Sequence, residues 1–492
     1  MRLVLNGKVN SLYVQSLCMM FFRGEKFPEN EENPRGELTV NAIETEDGIS
    51  CSASLIYDGK KADDCYFEAH NDAEKKERES KIAIGRAVFG ACVKLTGYLP
   101  PWGLLTGIRP SVVADELISK YGKQKAIEIL QEKYLLSYSR ANLVVDVAEN
   151  ERAISSKYDH KTCSIYISIP FCPTRCNYCS FISYATKKLF QLIPQYVERM
   201  ACEIKNTFKL AKKLNLSIKT IYIGGGTPTT LSHQQLETIL STINDCLTGE
   251  KPDEFTVECG RPDTIDEKKL NILKKYGVNR VSVNPQTLND DVLLKIGRHH
   301  TVQDFFNSYD LVTNYKFDVV NTDLIAGLDG DNFESFKKTV DKIIELGPDN
   351  ITVHSFSVKK SAQILREDQQ IYNIDGDFAI KSVDYAREAM ISSGYLPYYM
   401  YRQKNTISDL ENVGYAKPNA FGIYNVLMMG DTHTVFGIGA GSTTKLVRMV
   451  DGKKEILRIF SPKYPYEYLQ DNQMIESTAY CFLNGGKNNE DN

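Results

Sequence analysis

The chain has 492 residues, more than one ordinary domain holds, which predicts two or three domains. Hydrophobic residues make up 42% of it and charged residues 25%, a balance that excludes disordered and fibrous proteins. Its net charge of -4 gives no overall attraction for nucleic acid, so we expect no nucleic-acid partner. Local arginines or lysines must bind any acidic ligand.

The longest apolar run near the start, 18–22, is too short to cross a bilayer, and no cationic segment with a cleavage site precedes it. We therefore expect a cytoplasmic protein without a membrane span. The 12 cysteines show no paired spacing, which in a reducing compartment favours metal binding and buried thiols over disulfides.

Residues 1–160 are predicted to form an N-terminal α+β domain. A short strand precedes Asn6-Gly7, a hairpin signal, and an antiparallel meander follows with type I′ turns at Asp47-Gly48 and Asp58-Gly59. The predicted meander strands are 38–45, 49–57 and 60–68. The predicted helices run from an N-cap at Asn71 to Gly97, and then over 111–121, 123–134 and 137–155.

The loop 100–110 is rich in proline and glycine and holds the single tryptophan, Trp102. One interpretation of this loop is a packing corner. The other is that Arg109 reaches the active site and binds a carboxylate. The domain boundary is predicted at 156–161.

Beyond that boundary, strands alternate with helix-length amphipathic segments, a pattern that predicts a parallel sheet. Six such units indicate an incomplete (β/α) barrel over 161–360. In these folds, chemistry gathers at the carboxyl ends of the strands. The predicted strands are 164–169, 217–223, 254–258, 280–284, 318–325 and 350–356, with helices at 189–214, 232–246, 266–276 and 333–346.

The first of these strands runs into a loop that carries Cys172, Cys176 and Cys179. Three thiolates from one loop can hold a 4Fe-4S cluster and leave one iron open to a small molecule with an amine and a carboxylate. We predict these three residues as the metal ligands. Two alternatives remain open: a zinc site with Cys163 as the fourth ligand, and a redox pair formed by the last two cysteines.

The other strands end in glycines or polar residues. The run 224–227 exposes backbone groups to a ligand, although a tight turn would use the same residues. Any one polar residue could be structural, but together they predict one pocket. His354 ends the sixth strand, and of the adjacent His299 and His300 we expect one exposed and one buried. The polar residues of the predicted pocket are Glu258, Asn284, Gln286, Arg298 and Asp323.

Residues 361–492 are predicted to form a C-terminal α+β extension that covers the barrel. A helix over 376–393 ends at Gly394. The glycine run 437–442 lacks the βαβ context of a nucleotide site, so we expect it to approach the cofactor or the barrel mouth. Strands are predicted at 425–429, 433–438 and 443–449, and the polar tail 484–492 is predicted to be disordered.

Together these motifs resemble the oxygen-independent coproporphyrinogen III oxidase family of radical S-adenosylmethionine (SAM) enzymes. The resemblance covers most of the chain, and it implies a partial (β/α)6 radical SAM barrel with a 4Fe-4S cluster and SAM as cofactors. The matching segments are 166–172, 224–228, 280–286, 297–298 and 321–327, with Glu258. Segments 105–110, 401–404 and 411–418 resemble a branch of that family with a long N-terminal extension.

The resemblance also implies roles for individual residues. Tyr178 would lie beside the cluster. Tyr166, Arg175 and Arg298 are the predicted catalytic side chains. The predicted SAM contacts are Tyr166, Gly225, Gly226, Thr227, Glu258, Gln286, Arg298 and Asp323.

The implied activity is the oxidative decarboxylation of coproporphyrinogen III to protoporphyrinogen IX in haem biosynthesis. A radical formed by SAM cleavage would abstract a propionate hydrogen, and loss of carbon dioxide and one electron would leave a vinyl group. The expected partners are a porphyrinogen or another tetrapyrrole and an electron donor such as flavodoxin or ferredoxin. The candidate propionate anchors are Arg109, Arg175, Arg261 and Arg402.

Two departures keep other functions open. Phe181 stands where the authentic oxidases have a further cysteine. The haem-chaperone branch shares this phenylalanine, but it has a His-Asn haem-binding motif where this chain has Phe-Gly-Ile-Tyr-Asn at 421–425. The alternatives are a haem-binding or trafficking protein and a radical SAM enzyme that acts on haem.

Overall fold

The computed structural model describes residues 1–28, 34–70, 76–179, 181–357, 376–403, 410–471 and 475–485. The chain divides into two compact units, Met1–Glu149 with Met400–Glu411, and Asn150–Tyr399 with Asn412–Asn492. The predicted division at 160 and 360 stays a prediction, and the expected cap at Asn71 and most of the polar tail lie outside the described residues. None of the described helices is both long and apolar enough to cross a membrane.

The first unit is built on a four-stranded sheet with the order β1-β2-β3-β4. Its elements are β1 (Arg2–Asn6), α1 (Ser11–Phe21), β2 (Gly36–Glu44), β3 (Gly48–Tyr57), β4 (Lys60–Ala69), α2 (Lys76–Thr96), α3 (Pro110–Tyr121), α4 (Lys123–Glu132) and α5 (Tyr138–Ser155). Strands β2, β3 and β4 form the predicted meander. The turn between β3 and β4 has positive φ at Asp58 (47°) and Gly59 (75°), as a type I′ turn requires.

Two turn predictions for this unit are wrong. Asn6-Gly7 closes no hairpin, because β1 pairs parallel with β2 and the helix α1 lies between them. That helix is capped by Asn10, whose Oδ1 accepts a hydrogen bond from the backbone N–H of Tyr13 at 3.0 Å. Gly48 forms no type I′ turn, since it already pairs with Ala69 in the sheet.

The loop 100–110 packs inside the first unit. Trp102 Nε1 donates to Glu411 Oε2 at 2.7 Å, and Glu411 also pairs with Arg140 Nε at 2.9 Å. The Arg402 guanidinium lies 5.1 Å from the centre of the Trp102 ring and donates to the carbonyl of Leu105. These contacts favour the interpretation of the loop as a packing corner.

The second unit is built on an 11-stranded sheet with the order β11-β12-β10-β9-β8-β7-β6-β5-β13-β14-β15. Its strands are β5 (Thr162–Ile169), β6 (Ser217–Gly225), β7 (Glu254–Glu258), β8 (Arg280–Ser282), β9 (Val319–Ala326), β10 (Asn350–Ser355), β11 (Leu396–Arg402), β12 (Glu411–Ala416), β13 (Thr434–Ile438), β14 (Thr443–Val450) and β15 (Lys453–Phe460). Its helices are α6 (Lys187–Phe190), α7 (Ile193–Lys213), α8 (His233–Leu247), α9 (Glu267–Lys275), α10 (Asp290–Lys295), α11 (Val302–Asn314), α12 (Phe333–Leu346), α13 (Gly376–Ser392), α14 (Ile423–Met429), α15 (Pro465–Gln470) and α16 (Ile475–Leu483).

The six strands β5 to β10 are parallel and lie side by side in chain order. This is the arrangement of a partial (β/α)6 barrel, so the predicted α/β fold is confirmed. In the described residues the sheet continues at both edges: β12 joins β10 antiparallel, and β13 joins β5 parallel.

The side chains of β5 alternate between the two faces of the sheet. Cys163, Ile165 and Ile167 are fully buried on one face, whereas Tyr166 and Ser168 point to the other. Cys163 belongs to an apolar cluster with Leu210 and Phe436, among others, which makes it a core residue rather than a metal ligand. The predicted strand at 425–429 is wrong, because α14 covers that segment.

Candidate functional site

The end of β5 is held in place from two sides. Ser168 Oγ donates to the carbonyl of Ala440 at 2.8 Å, and the Tyr196 hydroxyl donates to the carbonyl of Ser168 at 2.9 Å. Tyr196 also accepts a hydrogen bond from the backbone N–H of Ala440 at 2.7 Å. Gly439 comes so close to this strand that a Cβ there would lie 2.7 Å from the Ser168 carbonyl oxygen. The C-terminal glycine run therefore fixes the point where the cysteine loop begins.

The three cysteines of the loop face polar donors. Cys172 Sγ lies 3.4 Å from Thr227 Oγ1, and Cys179 Sγ lies 3.7 Å from Ser183 Oγ. Cys176 is buried, and the guanidinium of Arg261 donates to its sulfur at 3.9 Å. Donors aimed at sulfur suit thiolates better than neutral thiols.

Burial raises the pKa of Cys172 to about 11 and also raises the pKa of Cys179. Cys176 and Cys179 raise the pKa of Cys172 further, and Cys176 raises that of Cys179. Each of the three thiols thus lies within electrostatic reach of the other two. Across the residues that the structure describes, no three His, Cys, Asp or Glu side chains are grouped closely enough to hold a single metal ion. A 4Fe-4S cluster makes a different demand, since each thiolate binds its own iron. Three close thiols in one loop, surrounded by donors, fit that group.

The glycine turn after β6 is interleaved with the cysteine loop. The backbone N–H of Gly226 donates to the carbonyl of Ile169 at 2.7 Å, and that of Thr227 donates to the carbonyl of Phe171 at 2.8 Å. Gly225 has φ of 105°, and a Cβ on Gly226 would lie 2.6 Å from the Phe171 carbonyl oxygen. The turn needs glycine at both positions, and it lies directly against the loop that carries Cys172.

Glu258 ends β7 at the interior of the barrel, where Tyr222 Oη donates to its carboxylate at 2.6 Å. Burial raises the pKa of Glu258 to about 7; Asp323 raises it further, while Tyr222 and the backbone of Gly225 lower it. The Tyr222 ring stacks on Tyr424, with centroids 4.5 Å apart. A carboxylate in such a site needs a cationic partner to stay ionised below pH 7.

Asp323 on β9 is the second acidic group of this rim. Its carboxylate accepts hydrogen bonds from Asn284 Nδ2 and Asn321 Nδ2, each at 2.8 Å, and lies 3.9 Å from His354 Nε2. Although burial raises the pKa of Asp323, His354, Asn321 and Thr352 together hold it below its usual range. The aspartate is therefore ionised beside Glu258, whose carboxyl is half protonated near neutral pH.

Gln286 and Arg298 follow β8. Gln286 is buried with a positive φ of 69°, a conformation that few non-glycine residues adopt. Arg298 is also buried; its Nη1 donates to the carbonyls of Asn284 at 2.7 Å and Gly260 at 3.2 Å, and it interacts with Tyr178 and Cys176. The guanidinium thus lies between the cysteine loop and the polar rim.

The histidines next to Arg298 divide as predicted. His299 is exposed, whereas His300 is buried with only 3% of its surface accessible. Burial, helped by Arg298 and Arg261, lowers the pKa of His300 to about 3, so its imidazole is neutral.

The four predicted propionate anchors have different surroundings. Arg261 is buried, and it pairs with Asp263 at 3.0 Å and donates to Thr174 Oγ1 at 3.1 Å, so it is engaged in holding the cysteine loop. Arg402 is buried in the first unit against Trp102. Arg175 is half-buried and donates to the carbonyl of Ser183 at 3.1 Å. Arg109 is half-buried at the start of α3.

Tyr222 and Tyr424 also line this site and were not predicted from the sequence. Tyr222 shares the interior face of β6 with Gly224 and lies opposite Tyr166 in register, so strand periodicity could have found it. Tyr166 stacks on both rings at 6.1 Å. Tyr424 carried no usable signal, because its segment was assigned to a strand.

Comparison with known proteins agrees with this geometry. Residues 166–343 match the Radical SAM superfamily model. The oxygen-independent coproporphyrinogen-III oxidase-like protein HemZ of Bacillus subtilis is 32% identical over 462 residues, which covers 92% of each chain. The heme chaperone HemW of the same organism is 38% identical over 200 residues, which are 40% of this chain and 51% of HemW.

Among solved structures, coproporphyrinogen III oxidase (HemN) from Escherichia coli matches with a TM-score of 0.51 at 20% identity, over 66% of this chain and 71% of HemN. That similarity concerns the fold. HemZ, in contrast, matches along almost its whole length. The chain therefore belongs to the radical SAM superfamily and, within the oxygen-independent coproporphyrinogen III oxidase family, to the HemZ branch, with a 4Fe-4S cluster and SAM as its cofactors.

Proposed function

We propose that this protein is a radical SAM coproporphyrinogen dehydrogenase that converts coproporphyrinogen III to protoporphyrinogen IX without oxygen. The observation that carries the proposal is the interleaving of the cysteine loop with the glycine turn, next to a rim formed by the half-buried Glu258 and Asp323 and the buried Arg298. A loop with three thiolates beside a turn of exposed backbone suits a cluster that shares a ligand with SAM. The full-length similarity to HemZ supports a tetrapyrrole as substrate.

In this proposal Cys172, Cys176 and Cys179 hold the cluster. When bound, the cluster and SAM supply the hydrogen-atom abstraction that opens the reaction. The polar rim binds the charged groups of SAM, with Glu258 facing a cation and Arg298 an anion. Tyr178 lies beside the cluster. The remaining proposed SAM contacts are Tyr166, Gly225, Gly226, Thr227, Gln286 and Asp323.

The protein also has to bind four propionates with local cations. Of the predicted anchors, Arg175 lies in the cysteine loop and is half-buried. It is therefore our candidate for binding a propionate next to the cluster. Arg261 and Arg402 are less suited to bind a propionate, because Asp263 already engages the first guanidinium and the carbonyl of Leu105 the second. Two of the four propionates react, and each of these loses one hydrogen atom, one electron and carbon dioxide to become a vinyl group, so an electron acceptor is also required. We place the reaction in the cytoplasm.

A haem-trafficking function is the second candidate, since HemW is among the relatives and Phe181 stands where the oxidases have cysteine. One observation argues against haem binding at 421–425. Glu254 accepts hydrogen bonds from the backbone N–H groups of Ile423 at 2.7 Å and Tyr424 at 3.4 Å, which ties this segment to the amino end of the barrel.

The test is an anaerobic incubation of the reconstituted, dithionite-reduced protein with SAM, coproporphyrinogen III and an electron acceptor, with products read by mass spectrometry. We expect a tricarboxylate intermediate and then protoporphyrinogen IX, and no product from Cys176→Ala. Tight haem binding without any decarboxylated product would favour trafficking. Haem ring opening would favour a radical SAM enzyme acting on haem.

A further inference from the structure

Three tyrosines lie together beside the cysteine loop on the surface of the second unit. We call Tyr184, Tyr464 and Tyr466 the aromatic patch. Tyr464 and Tyr466 are 45% and 47% exposed, and the two chain segments that form the patch also carry the exposed side chains of Phe181 (66%) and Phe460 (67%). Large aromatic side chains that are exposed together mark an interaction surface more often than a solvated one.

The patch is continuous although it comes from two distant segments of the chain. The rings of Tyr184 and Tyr464 are 5.7 Å apart, and those of Tyr464 and Tyr466 are stacked at 5.5 Å. Tyr184 Oη donates to the carbonyl of Lys463 at 3.3 Å. The residues that follow β15 are joined to the glycine run, since Gly441 donates its N–H to the carbonyl of Pro462 at 2.8 Å.

The patch is also hydrogen-bonded to one predicted cluster ligand, Cys172. The backbone N–H of Cys172 donates to the carbonyl of Tyr184 at 3.0 Å, and Tyr184 donates its own N–H to the carbonyl of Pro170 at 2.9 Å. Cys172 is therefore one hydrogen bond away from a tyrosine whose ring leads through Tyr464 to the exposed ring of Tyr466.

Positive charge borders the patch. Lys187 and Lys188 begin the short helix α6, three and four positions after Tyr184, and Lys463 precedes Tyr464; all three lysines are exposed. Glu467 is the acidic residue between the tyrosines and the rest of α15. This local excess of positive charge contrasts with the net charge of -4 of the whole chain.

We propose that the aromatic patch, with Lys187, Lys188 and Lys463 at its rim, is the docking surface for an acidic protein that carries single electrons on a flavin or an iron–sulfur centre. The inference rests on the proposed function, which requires the cluster to be reduced from outside. One electron passes from the reduced carrier to the oxidised cluster; no bond forms or breaks and no proton moves.

The form of the surface suits this occupant. Electron-transfer encounters bury little area and depend on charge for their rate, so a few lysines around a small aromatic centre suffice. The carrier must also approach the cluster closely, and Tyr184 of the patch accepts a hydrogen bond from the backbone N–H of Cys172.

The experiment measures cluster reduction rather than turnover. Reconstituted protein is mixed anaerobically with reduced flavodoxin or ferredoxin, and loss of the cluster's visible absorbance is followed by stopped flow. For the double variant Lys187→Glu/Lys188→Glu we expect the second-order rate constant to fall by roughly tenfold and to depend less strongly on salt concentration. Tyr464→Ser/Tyr466→Ser should slow the protein carrier without changing the rate with dithionite.

The matched control is Lys453→Glu/Lys454→Glu, two exposed lysines at the opposite end of β15 from Phe460. An equal loss of rate in this control, or unchanged rates in the patch variants, would overturn the proposal. So would patch variants that keep the carrier's rate but raise KM for the porphyrinogen, since the patch would then bind substrate. Normal cluster reduction without any decarboxylated product would instead count against the proposed function alone.

Discussion

Buried polar side chains at the two ends of the barrel differ in how fully the protein hydrogen-bonds them. At the amino ends of the strands, Glu254 accepts hydrogen bonds from Thr256 Oγ1 at 3.0 Å and from the backbone of α14. Arg280 and Asn350 both donate to the carbonyl of Ala420, and among the described residues only the amide oxygen of Asn350 is left without a partner in this group. At the carboxyl ends, Arg298 Nε and both ring nitrogens of the nearby His300 have no hydrogen-bond partner in the part of the chain that the structure describes.

This difference separates structural from functional polarity within one fold. Glu254 and Glu258 begin and end the same strand. The first accepts hydrogen bonds from the backbone of α14, whereas burial raises the pKa of the second to about 7. A buried group that is fully bonded by protein stabilises the fold, whereas one left short of partners is suited to a ligand. The comparison leads to four predictions.

The largest effect is expected at the carboxyl end. Replacing Cys172, Cys176 or Cys179 by alanine should abolish cluster assembly, because two remaining thiolates leave two irons open. Iron content and visible absorbance after anaerobic reconstitution measure this. Cys163→Ala is the matched control, and it should retain the cluster because that thiol lies in an apolar core. Loss of metal in the control, or stoichiometric zinc without iron, would restore the zinc alternative.

At the amino end, Glu254→Ala should lower the free energy of unfolding by about 3 kcal/mol, since Arg280 and the backbone of α14 lose a buried acceptor. Urea denaturation followed by circular dichroism measures the loss. SAM affinity of the folded variant should stay unchanged. A variant of normal stability that fails to bind SAM would reverse the roles we assign to the two ends.

Glu258→Gln should weaken SAM binding rather than stability. SAM affinity should fall roughly 10- to 100-fold, as expected for a lost hydrogen bond to a charged group. In the wild type, affinity should fall up to roughly tenfold for each pH unit below about 7, because the carboxylate becomes protonated. Isothermal titration calorimetry at several pH values tests both points. A variant with the same pH dependence as the wild type would show that another group titrates.

The smallest effect concerns His433, which directly precedes β13. Its ring nitrogens bond to Thr162 and Ser164, each at 2.9 Å, and burial lowers its pKa to about 3. The unfolded chain takes up a proton near pH 6.5 and the folded protein does not, so stability present above pH 6.5 is lost as pH falls toward 3. We expect a loss of about 2 kcal/mol by pH 5. Comparing the urea midpoints of the wild type and His433→Gln at several pH values isolates this contribution. Parallel plots of midpoint against pH for the two proteins would refute the prediction.

The sequence predicted the barrel strands well because each is a short apolar run with regular connections. Strand β7 has the predicted bounds, and the other five differ by a few residues at their ends. Asn6-Gly7 is a hairpin signal that depends on local residues alone, whereas packing determines which strand pairs with β1. The segment 425–429 was misassigned because a short apolar run fits a strand or a buried helix equally well.

For the site, strand order predicted which residues meet, since parallel strands bring their carboxyl ends to one rim. Glu258, Asp323, Gln286 and Arg298 were found in this way. The function of Arg261 could not be predicted, because a sequence shows a cation but not the buried partners that engage it. Its contacts with Thr174 and Cys176 depend on how two loops fold together.

The pairing of β5 with β13 has a consequence for how the protein is made. Thr162 and His433, which meet beside these strands, are 271 positions apart. During synthesis β5 can pair with β6 early, but its other edge stays open until residues 434–438 emerge, and such distant pairings form slowly. An open edge beside apolar residues is prone to aggregation. Ribosome-released chains that stop before β13 should therefore aggregate, and the cysteine loop that follows β5 is fully supported only after β13 has been synthesised.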